Sequence, residues 1–154
     1  MKQNMNQWLK ETLQNKKKKP MPILSFPGTQ LIGKNVEELV RSGHEQALCM
    51  EAIAKKFDTG VSFSLMDLSV EAEAFGSSII YSTDDVPTLH GALIHDEEEA
   101  EALVVPEVGA GRTGECIKGI REACEQIKDR PVLAGIIGPY SLAGRLLDMT
   151  EIMI

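Results

Sequence analysis

Apolar residues recur along this chain at two intervals, one helical and one strand-like, and the two patterns alternate. The helical interval predicts helices over residues 3–18, from Asn35 to about Phe57, over 70–75, opening at Asp96, from Cys116 to about Asp129, and starting near Tyr140. Short apolar runs bounded by turn residues predict strands at 22–26, 61–66, 78–81, 89–94 and 131–137. Alternation of this kind favours parallel β/α units, in either an open doubly wound sheet or part of a barrel.

Residues at the predicted element ends support these assignments. Asn35 and Glu38 have the spacing of a capping box, which satisfies backbone donors at a helix start. Ser69 can cap the short helix over 70–75, and Gly76 can terminate it. Pro27 and the glycine after it are expected to end the first strand in a turn.

The last predicted helix is apolar up to the final residue of the sequence. Its stripe consists of Leu146, Leu147, Met149, Ile152, Met153 and Ile154. Because no glycine or polar tail follows, we expect the chain to be cut within an element and to leave this stripe uncovered. An uncovered stripe and an open sheet edge predict a homo-oligomer, or pairing with a partner chain.

The length of 154 residues suits one domain over 1–154 but is well below the roughly 250 residues of a closed eight-unit barrel. The apolar runs are too short for a membrane span, and the polar N-terminus has no signal-peptide core. Three cysteines without close spacing do not suggest a disulfide framework. These features predict a cytoplasmic protein that does not bind membranes.

The net charge of −7 is unevenly distributed. Residues 1–20 carry six lysines and one glutamate, whereas the rest of the chain carries 10 basic and 22 acidic residues. An acidic body is a poor partner for nucleic acid, so no nucleic-acid binding is expected. The lysine run 16–19 is interpreted as a solvated helix end that complements the helix dipole.

Two patterns suggest ligand sites at first sight. Residues 109–114, Gly-Ala-Gly-Arg-Thr-Gly, match a phosphate-binding turn, but they follow a proline-interrupted segment late in the chain, so a connecting loop is favoured. The three histidines and three cysteines lack the compact spacing of a metal site. No metal site is therefore predicted within this chain.

Polar residues at predicted strand ends are the better candidates, because ligands of α/β proteins bind at the carboxyl ends of parallel strands. Asp67 follows the strand over 61–66, and Glu71 and Glu73 come soon after it. An alternative interpretation makes Asp67 a turn residue and the glutamates a solvated helix start. The other residues expected on this rim are Gln30, Lys34, Tyr140, Ser141 and Arg145.

The runs Phe-Ser-Leu-Met-Asp-Leu-Ser-Val-Glu-Ala-Glu-Ala-Phe-Gly over 63–76 and Gly-Pro-Tyr-Ser-Leu-Ala over 138–143 resemble the uroporphyrinogen decarboxylase superfamily. Within it they look most like the branch that transfers methyl groups from cobalamin to coenzyme M. The resemblance implies the first half of a (β/α)8 TIM-type barrel, with an N-terminal helix and three to four β/α units. The fold class is therefore predicted as α/β.

The decarboxylase branch implies one role for Asp67 and is contradicted at two other positions. Family members place an aspartate at the end of the second strand against the pyrrole nitrogens of the tetrapyrrole, and Asp67 matches it. They also carry two arginines after the first strand, where this chain has Pro-Gly-Thr-Gln-Leu-Ile-Gly-Lys. The family's tyrosine in the helix after the Gly-Pro turn aligns with Arg145.

The methyltransferase branch implies zinc, which binds the acceptor thiol as a thiolate, and a corrinoid as methyl donor. The family's zinc ligands lie in the second half of the barrel, so no cofactor is expected on this chain alone. We therefore predict the N-terminal portion of a corrinoid-dependent methyltransferase, inactive alone, whose partner is a corrinoid protein or small thiol. Asp67 is the predicted catalytic residue, and Gln30, Glu71, Tyr140, Ser141 and Arg145 are the predicted substrate-binding residues. The alternatives are a porphyrin-pathway decarboxylase and a non-enzymatic half-barrel that self-associates or pairs with another chain.

Overall fold

The computed structural model describes residues 4–148 and Thr150. Its helices are α1 (Met5–Gln14), α2 (Thr29–Ile32), α3 (Val36–Arg41), α4 (Gly43–Lys56), α5 (Val70–Phe75), α6 (Glu97–Glu101), α7 (Thr113–Gln126) and α8 (Pro139–Leu146). Its strands are β1 (Ser62–Phe63), β2 (Ile79–Ile80), β3 (Thr88–Leu89) and β4 (Val132–Leu133). Over the described residues, no helix has the length and apolar character needed to cross a membrane.

β1 and β4 form a parallel pair in which Ser62 lies opposite Val132. Parallel pairing is what the alternation of elements predicted, but both strands are much shorter than the predicted runs. The Ser64 hydroxyl accepts a hydrogen bond from the Gly135 N–H at 2.8 Å, which ties the two segments together beyond the strands. The described residues form a mixed α/β fold with two two-stranded sheets, and a closed barrel is not among their features.

β2 and β3 form the second sheet, an antiparallel hairpin in which Ile79 lies opposite Leu89. The sequence predicts strands at 78–81 and 89–94, which could pair with each other or extend the main sheet. The structure shows that they pair, and the seven residues 81–87 connect them.

The helices α4 and α7 pack closely because glycines meet at their crossing. A Cβ atom on Gly119 would lie 2.8 Å from the Gly43 carbonyl oxygen, closer than real Cβ contacts. The Glu115 carboxylate accepts the Gly43 N–H at 2.6 Å, so α7 caps the start of α4. Ala47, Met50, Ala123 and Ile127 form the apolar core of this pair.

The predicted strand over 22–26 is wrong. The chain instead makes a tight helical turn over Phe26–Gly28, which continues into α2. Pro27 lacks the N–H that a ladder requires, and Gly28 is pressed so closely against Cys49 that an added Cβ would lie 2.5 Å from its sulfur. Just before this segment, the Gly60 N–H donates to the Pro20 carbonyl at 2.9 Å.

The predicted helix from Asn35 to Phe57 is two helices. The capping box of Asn35 and Glu38 is confirmed at the start of α3. Ser42 then has extended backbone angles and interrupts the helix, and its hydroxyl accepts the Glu45 N–H to begin α4. A serine competes for backbone donors in this way, which favours a helix start over a helix interior.

The apolar stripe of the last helix is covered over its described part, which corrects that expectation. Leu146 is buried, and Leu142 and Leu147 pack with it against Ala72 of α5 and Ile94. The backbone N–H groups of the Leu93–Ile94 segment both bond to the Leu146 carbonyl. Met149, Ile152, Met153 and Ile154 of the predicted stripe lie outside the described residues.

Candidate functional site

The candidate site lies at the carboxyl ends of β1 and β4. The chain leaves β1 toward Asp67 and α5, and it leaves β4 toward α8, so the two helices follow neighbouring parallel strands. α5 and α8 also pack against each other through Ala72 and Leu146. Parallel topology therefore brings two separate segments to one end of the sheet, as predicted.

Asp67 is held in a buried ionic network at this end. Its Oδ2 accepts a hydrogen bond from Nη1 of Arg112 at 2.5 Å. Its Oδ1 accepts two hydrogen bonds from Ser69, from the backbone N–H at 2.9 Å and from the hydroxyl at 2.6 Å. The Asp67 side chain is only 1% exposed, so its carboxylate is closed to solvent.

Glu73 and Tyr81 extend this network. Nε of Arg112 donates to Oε2 of Glu73, and the Tyr81 hydroxyl donates to Oε1 of the same carboxylate at 2.9 Å. The guanidinium of Arg41 stacks on the Tyr81 ring, 3.6 Å from the ring centre. We name Asp67, Ser69, Glu73, Tyr81 and Arg112 the Arg112 cluster.

Arg112 is the residue that sequence reasoning missed, and it comes from the glycine-rich segment 109–114. Residues 109–112 form a connecting loop, as predicted, and α7 begins at Thr113, three residues before the predicted start. Gly109 and Gly111 have φ values of +90° and +54°, which glycine adopts without strain. Gly111 lies against the backbone of Ala74 in α5, and the next residue, Arg112, thereby enters the cluster with 6% exposure.

Burial and the neighbouring charges affect the protonation of two members of the cluster, Arg112 and Tyr81. Burial alone would lower the pKa of Arg112, but the hydrogen bonds and charges of Asp67 and Glu73 outweigh it, and the net shift is upward. Burial and the hydrogen bond to Glu73 raise the pKa of the Tyr81 phenol. The guanidinium is thus a permanent cation, and the phenol is a permanent donor at neutral pH.

Ser69 plays a different part from the predicted helix cap. It occupies the N-cap position of α5 but makes no capping hydrogen bond with its side chain. The hydroxyl instead donates to Asp67 and accepts a hydrogen bond from Nη2 of Arg112 at 2.8 Å. The same side chain cannot serve both arrangements, and the charged partners are the stronger attraction.

Glu71 links α5 to the segment that precedes α8. Its Oε1 lies 3.3 Å from the Ile137 N–H, directly before the Gly-Pro turn. Tyr140 and Ser141 follow in the first turn of α8 and are exposed. The structure therefore brings three of the predicted site residues to the same end of the sheet as Asp67.

The structure places Gln30 apart from these residues. It is on α2, and it lines a surface depression with Leu24, Lys56 and Phe57. The last two residues lie at the end of α4 that leads into β1, and so at the amino end of the sheet. Lys34, which was expected beside Gln30, pairs instead with Glu45 at 3.3 Å on the outer helices.

Arg145 lies in the last turn of α8 and is exposed. It is farther along the helix than the exposed Tyr140 and Ser141, and it makes no ion pair within the described residues. The position complements the negative end of the helix dipole, so the structure gives Arg145 a local role besides any contact with a ligand.

The described residues do not fit a zinc ion. Residues 4–148 contain no group of three histidine, cysteine or acidic side chains close enough to hold a metal. Cys49 and Cys116 lie on different helices, and burial raises the pKa of both thiols to about 11, which disfavours the thiolate that zinc requires.

Comparison with known proteins adds a family and two named relatives. The family described as Uroporphyrinogen decarboxylase (URO-D) matches residues 12–153. The chain is 28% identical over 135 residues to the methylcobamide:CoM methyltransferase MtbA of Methanosarcina acetivorans. It is 27% identical over 135 residues to MtbA of Methanosarcina mazei. Each alignment covers 80% of this chain and 39% of the relative.

A solved structure shares the fold. The chain superposes on a methyltransferase from Methanosarcina mazei with a TM-score of 0.80 at 20% identity, covering 95% of this chain and 46% of that one. The fold of the described residues is therefore that of one part of the methyltransferase. The chain spans about two fifths of the length of the curated relatives that it matches.

Proposed function

This chain belongs to the URO-D family, and from that membership we propose that it forms the N-terminal portion of a corrinoid-dependent methyltransferase. The reaction proposed for the complete protein is transfer of a methyl group from a methylcobamide to a thiol. The two named relatives are methylcobamide:CoM methyltransferases, which supports this branch of the family.

The buried, fully bonded carboxylate of Asp67 is the observation that favours a methyltransferase over a uroporphyrinogen decarboxylase. A tetrapyrrole-binding aspartate must offer oxygen lone pairs to pyrrole N–H groups. Both oxygens of Asp67 are already bonded to Ser69 and Arg112, and the side chain is buried. Breaking those charged hydrogen bonds to admit a ligand would cost several kcal/mol. This chain also lacks the two arginines that decarboxylases carry in the turn after their first strand, which further disfavours decarboxylation.

We assign Asp67 a positioning role, in which it holds Arg112 and the start of α5 in place. Glu71, Tyr140 and Ser141 then form the wall that faces the ligand, since they are accessible at the same end of the sheet. Arg145 supplies a positive charge at the far side of this wall. Gln30 is proposed to contribute only by shaping the outer layer, because it lines a different depression.

The zinc and the methylcobamide require groups beyond this wall. The described residues hold no zinc ligand set, so we derive no step through the metal from this chain. A corrinoid protein and a small thiol are proposed as partners of the complete site. What the chain itself contributes is a rigid, charged surface that orients ligand groups at the strand ends.

The sheet edge supports a proposal about assembly. β4 is paired on one side only within the described residues, and Ile136 just beyond it is 80% exposed. We propose that β1 and β4 are neighbouring strands of an incomplete barrel and that the open side of β4 receives a further strand. In a sample of the isolated 154-residue chain, a second copy supplies that strand, so association is expected.

A chimera tests the function. This chain replaces the matching segment of Methanosarcina mazei MtbA, and methyl transfer from methylcobalamin to coenzyme M is followed by absorbance. We expect turnover by the chimera, lowered by Glu71→Gln but unchanged by Glu101→Gln on exposed α6. A folded chimera that lacks methyl transfer but converts uroporphyrinogen to coproporphyrinogen would refute the proposal and favour a decarboxylase.

Light scattering tests the assembly. The isolated chain is expected to be a dimer or larger at tens of micromolar protein. Ile136→Lys places a charge beside the open edge and should shift the population toward monomer, whereas Val108→Lys, at an exposed position away from β4, should not. A monodisperse monomer that melts cooperatively would contradict the open-edge argument and favour a self-sufficient α/β domain.

A further inference from the structure

A cavity of about 220 Å³ lies at the end of the sheet opposite the Arg112 cluster. Its floor is made by Thr59–Gly60 and Asp129–Arg130, which directly precede β1 and β4. Its wall is made by α1 and the segment that follows it. Because the methyl-transfer site belongs to the carboxyl ends of the strands, this cavity is independent of the proposed function.

Four cationic side chains line this amino-end cavity, in a chain that is otherwise strongly acidic. They are Lys17, Lys18, Lys19 and Arg130, and the acidic residues of the lining are Glu11 and Asp129. The excess of positive charge predicts attraction of an anion.

Three of the four cations are held in place by the protein. Nζ of Lys18 donates to two carbonyls at the end of α1, and Nζ of Lys19 lies 2.5 Å from Oδ1 of Asp58. The Arg130 side chain is only 10% exposed, pairs with the Asp129 carboxylate at 2.7 Å and donates to the carbonyls of Phe57 and Thr59. These contacts fix the wall in place, which lowers the entropic cost of binding. Asp58 and Asp129 also neutralise Lys19 and Arg130, so the positive charge available to a ligand lies on Lys17 and Lys18.

Lys17 is the fourth cation, and the protein does not hold its ammonium group in place. Its backbone N–H bonds to the Asn15 side chain, but its ammonium group has no hydrogen bond or ion pair within the described part of the chain. An ammonium on a fixed backbone beside a cavity can bind an anionic group without first losing a protein partner. Lys17 is therefore the group expected to contact the ligand directly.

A flat apolar surface completes the cavity. Trp8 of α1 is half-buried and lines it, together with Met21, which packs on Gly60. An indole ring offers a stacking surface for a planar ligand. A cavity of about 220 Å³ is too small to enclose a tetrapyrrole or a corrinoid, so a smaller ligand is expected.

We propose that the amino-end cavity binds a small molecule that joins a planar ring to a phosphate or carboxylate group. The ring stacks on Trp8, and the anionic group pairs with Lys17 against the positive wall. A mononucleotide has this chemistry and serves as the probe. Binding here would tether α1 to the amino end of the sheet.

Trp8 is the single tryptophan of the chain and provides the assay. Titration with AMP is expected to change its fluorescence saturably, and adenosine or inorganic phosphate alone should each bind at least about tenfold more weakly. Lys17→Glu should weaken AMP binding about tenfold or more, and Lys17→Gln by less. The matched control is Lys10→Glu, the same charge change on α1 outside the lining, which should leave binding unchanged.

Three results would overturn the proposal. The first is the absence of saturation by AMP into the millimolar range. The second is equal weakening by Lys10→Glu and Lys17→Glu, which would show diffuse attraction to the lysine tract. The third is binding of inorganic phosphate as tight as that of AMP, which would remove the ring from the site.

Discussion

Replacement of Arg112 by methionine should destabilise the chain more than any other change to the Arg112 cluster. Methionine retains much of the volume of the arginine stem but removes the charge and five donors. The carboxylates of Asp67 and Glu73 would then face each other without a cation. The perturbation therefore isolates the electrostatic term from the packing term.

The structure sets the size of the effect. Removing one partner of a buried ion pair costs about 3–5 kcal/mol, because the remaining charge is buried without compensation. Asp67 is almost fully enclosed and carries the full cost, whereas Glu73 is 24% exposed and is partly solvated. We expect a loss of about 3 kcal/mol, a large share of the ~5–15 kcal/mol of a typical domain.

Urea unfolding followed by circular dichroism measures this loss, at one fixed protein concentration because association contributes to stability. The control is Arg121→Met on α7, the helix that follows Arg112, where the side chain is exposed and the change should stay within about 0.5 kcal/mol. Adding Asp67→Asn to Arg112→Met should recover part of the loss by removing the buried charge. If Arg112→Met and Arg121→Met were equally stable, the assignment of a buried ionic cluster would be wrong.

Three further predictions follow from the packing, the thiols and the ligand sets. Gly119→Ala should cost about 2 kcal/mol or more in unfolding experiments, because its Cβ meets the Gly43 carbonyl, while Gly138→Ala in open space should be nearly neutral. Cys116 should resist iodoacetamide at pH 8 while the exposed Cys124 is modified, as peptide mass spectrometry would show, because burial raises the pKa of Cys116 to about 11. Because the pKa of Cys116 is higher in the folded chain than in the unfolded chain, its contribution to the free energy of unfolding is fully present below pH 9. That contribution is lost as the pH rises toward 11. Elemental analysis of the purified chain should find no stoichiometric zinc. One tightly bound zinc per chain would contradict the conclusion that the described residues offer no zinc ligand set.

Local chemistry was enough to predict several elements of this fold. The helix Val70–Phe75 has the predicted bounds, because Gly76 adopts the left-handed conformation that ends it. The acidic run after Asp96 forms a helix capped by the Asp96 side chain. In each case the determining interaction spans no more than four residues, so the sequence contains the whole cause.

Long-range contacts could not be predicted from the pattern of apolar and polar residues. Arg112 pairs with Asp67 across 45 positions, and a glycine-rich loop gives no periodicity from which that contact could be inferred. A lone arginine in such a loop, with unpaired acidic residues at a strand end, is the clue that could have pointed to it. The strand predicted over 22–26 was wrong for a related reason. The next turn packs closely on α4 through Gly28, and that contact cannot be inferred from local sequence.

The Arg112 cluster also constrains the order in which this protein can evolve. A lineage that loses Arg112 first leaves two carboxylates without their cation, whereas one that first neutralises Asp67 leaves Arg112 paired with Glu73 and is destabilised less. Substitutions at Asp67 and Arg112 should therefore be correlated among related sequences, with the aspartate changing before the arginine. We therefore expect an aspartate at this position to be open to a ligand only in relatives that have no arginine at the partner position in the loop before α7.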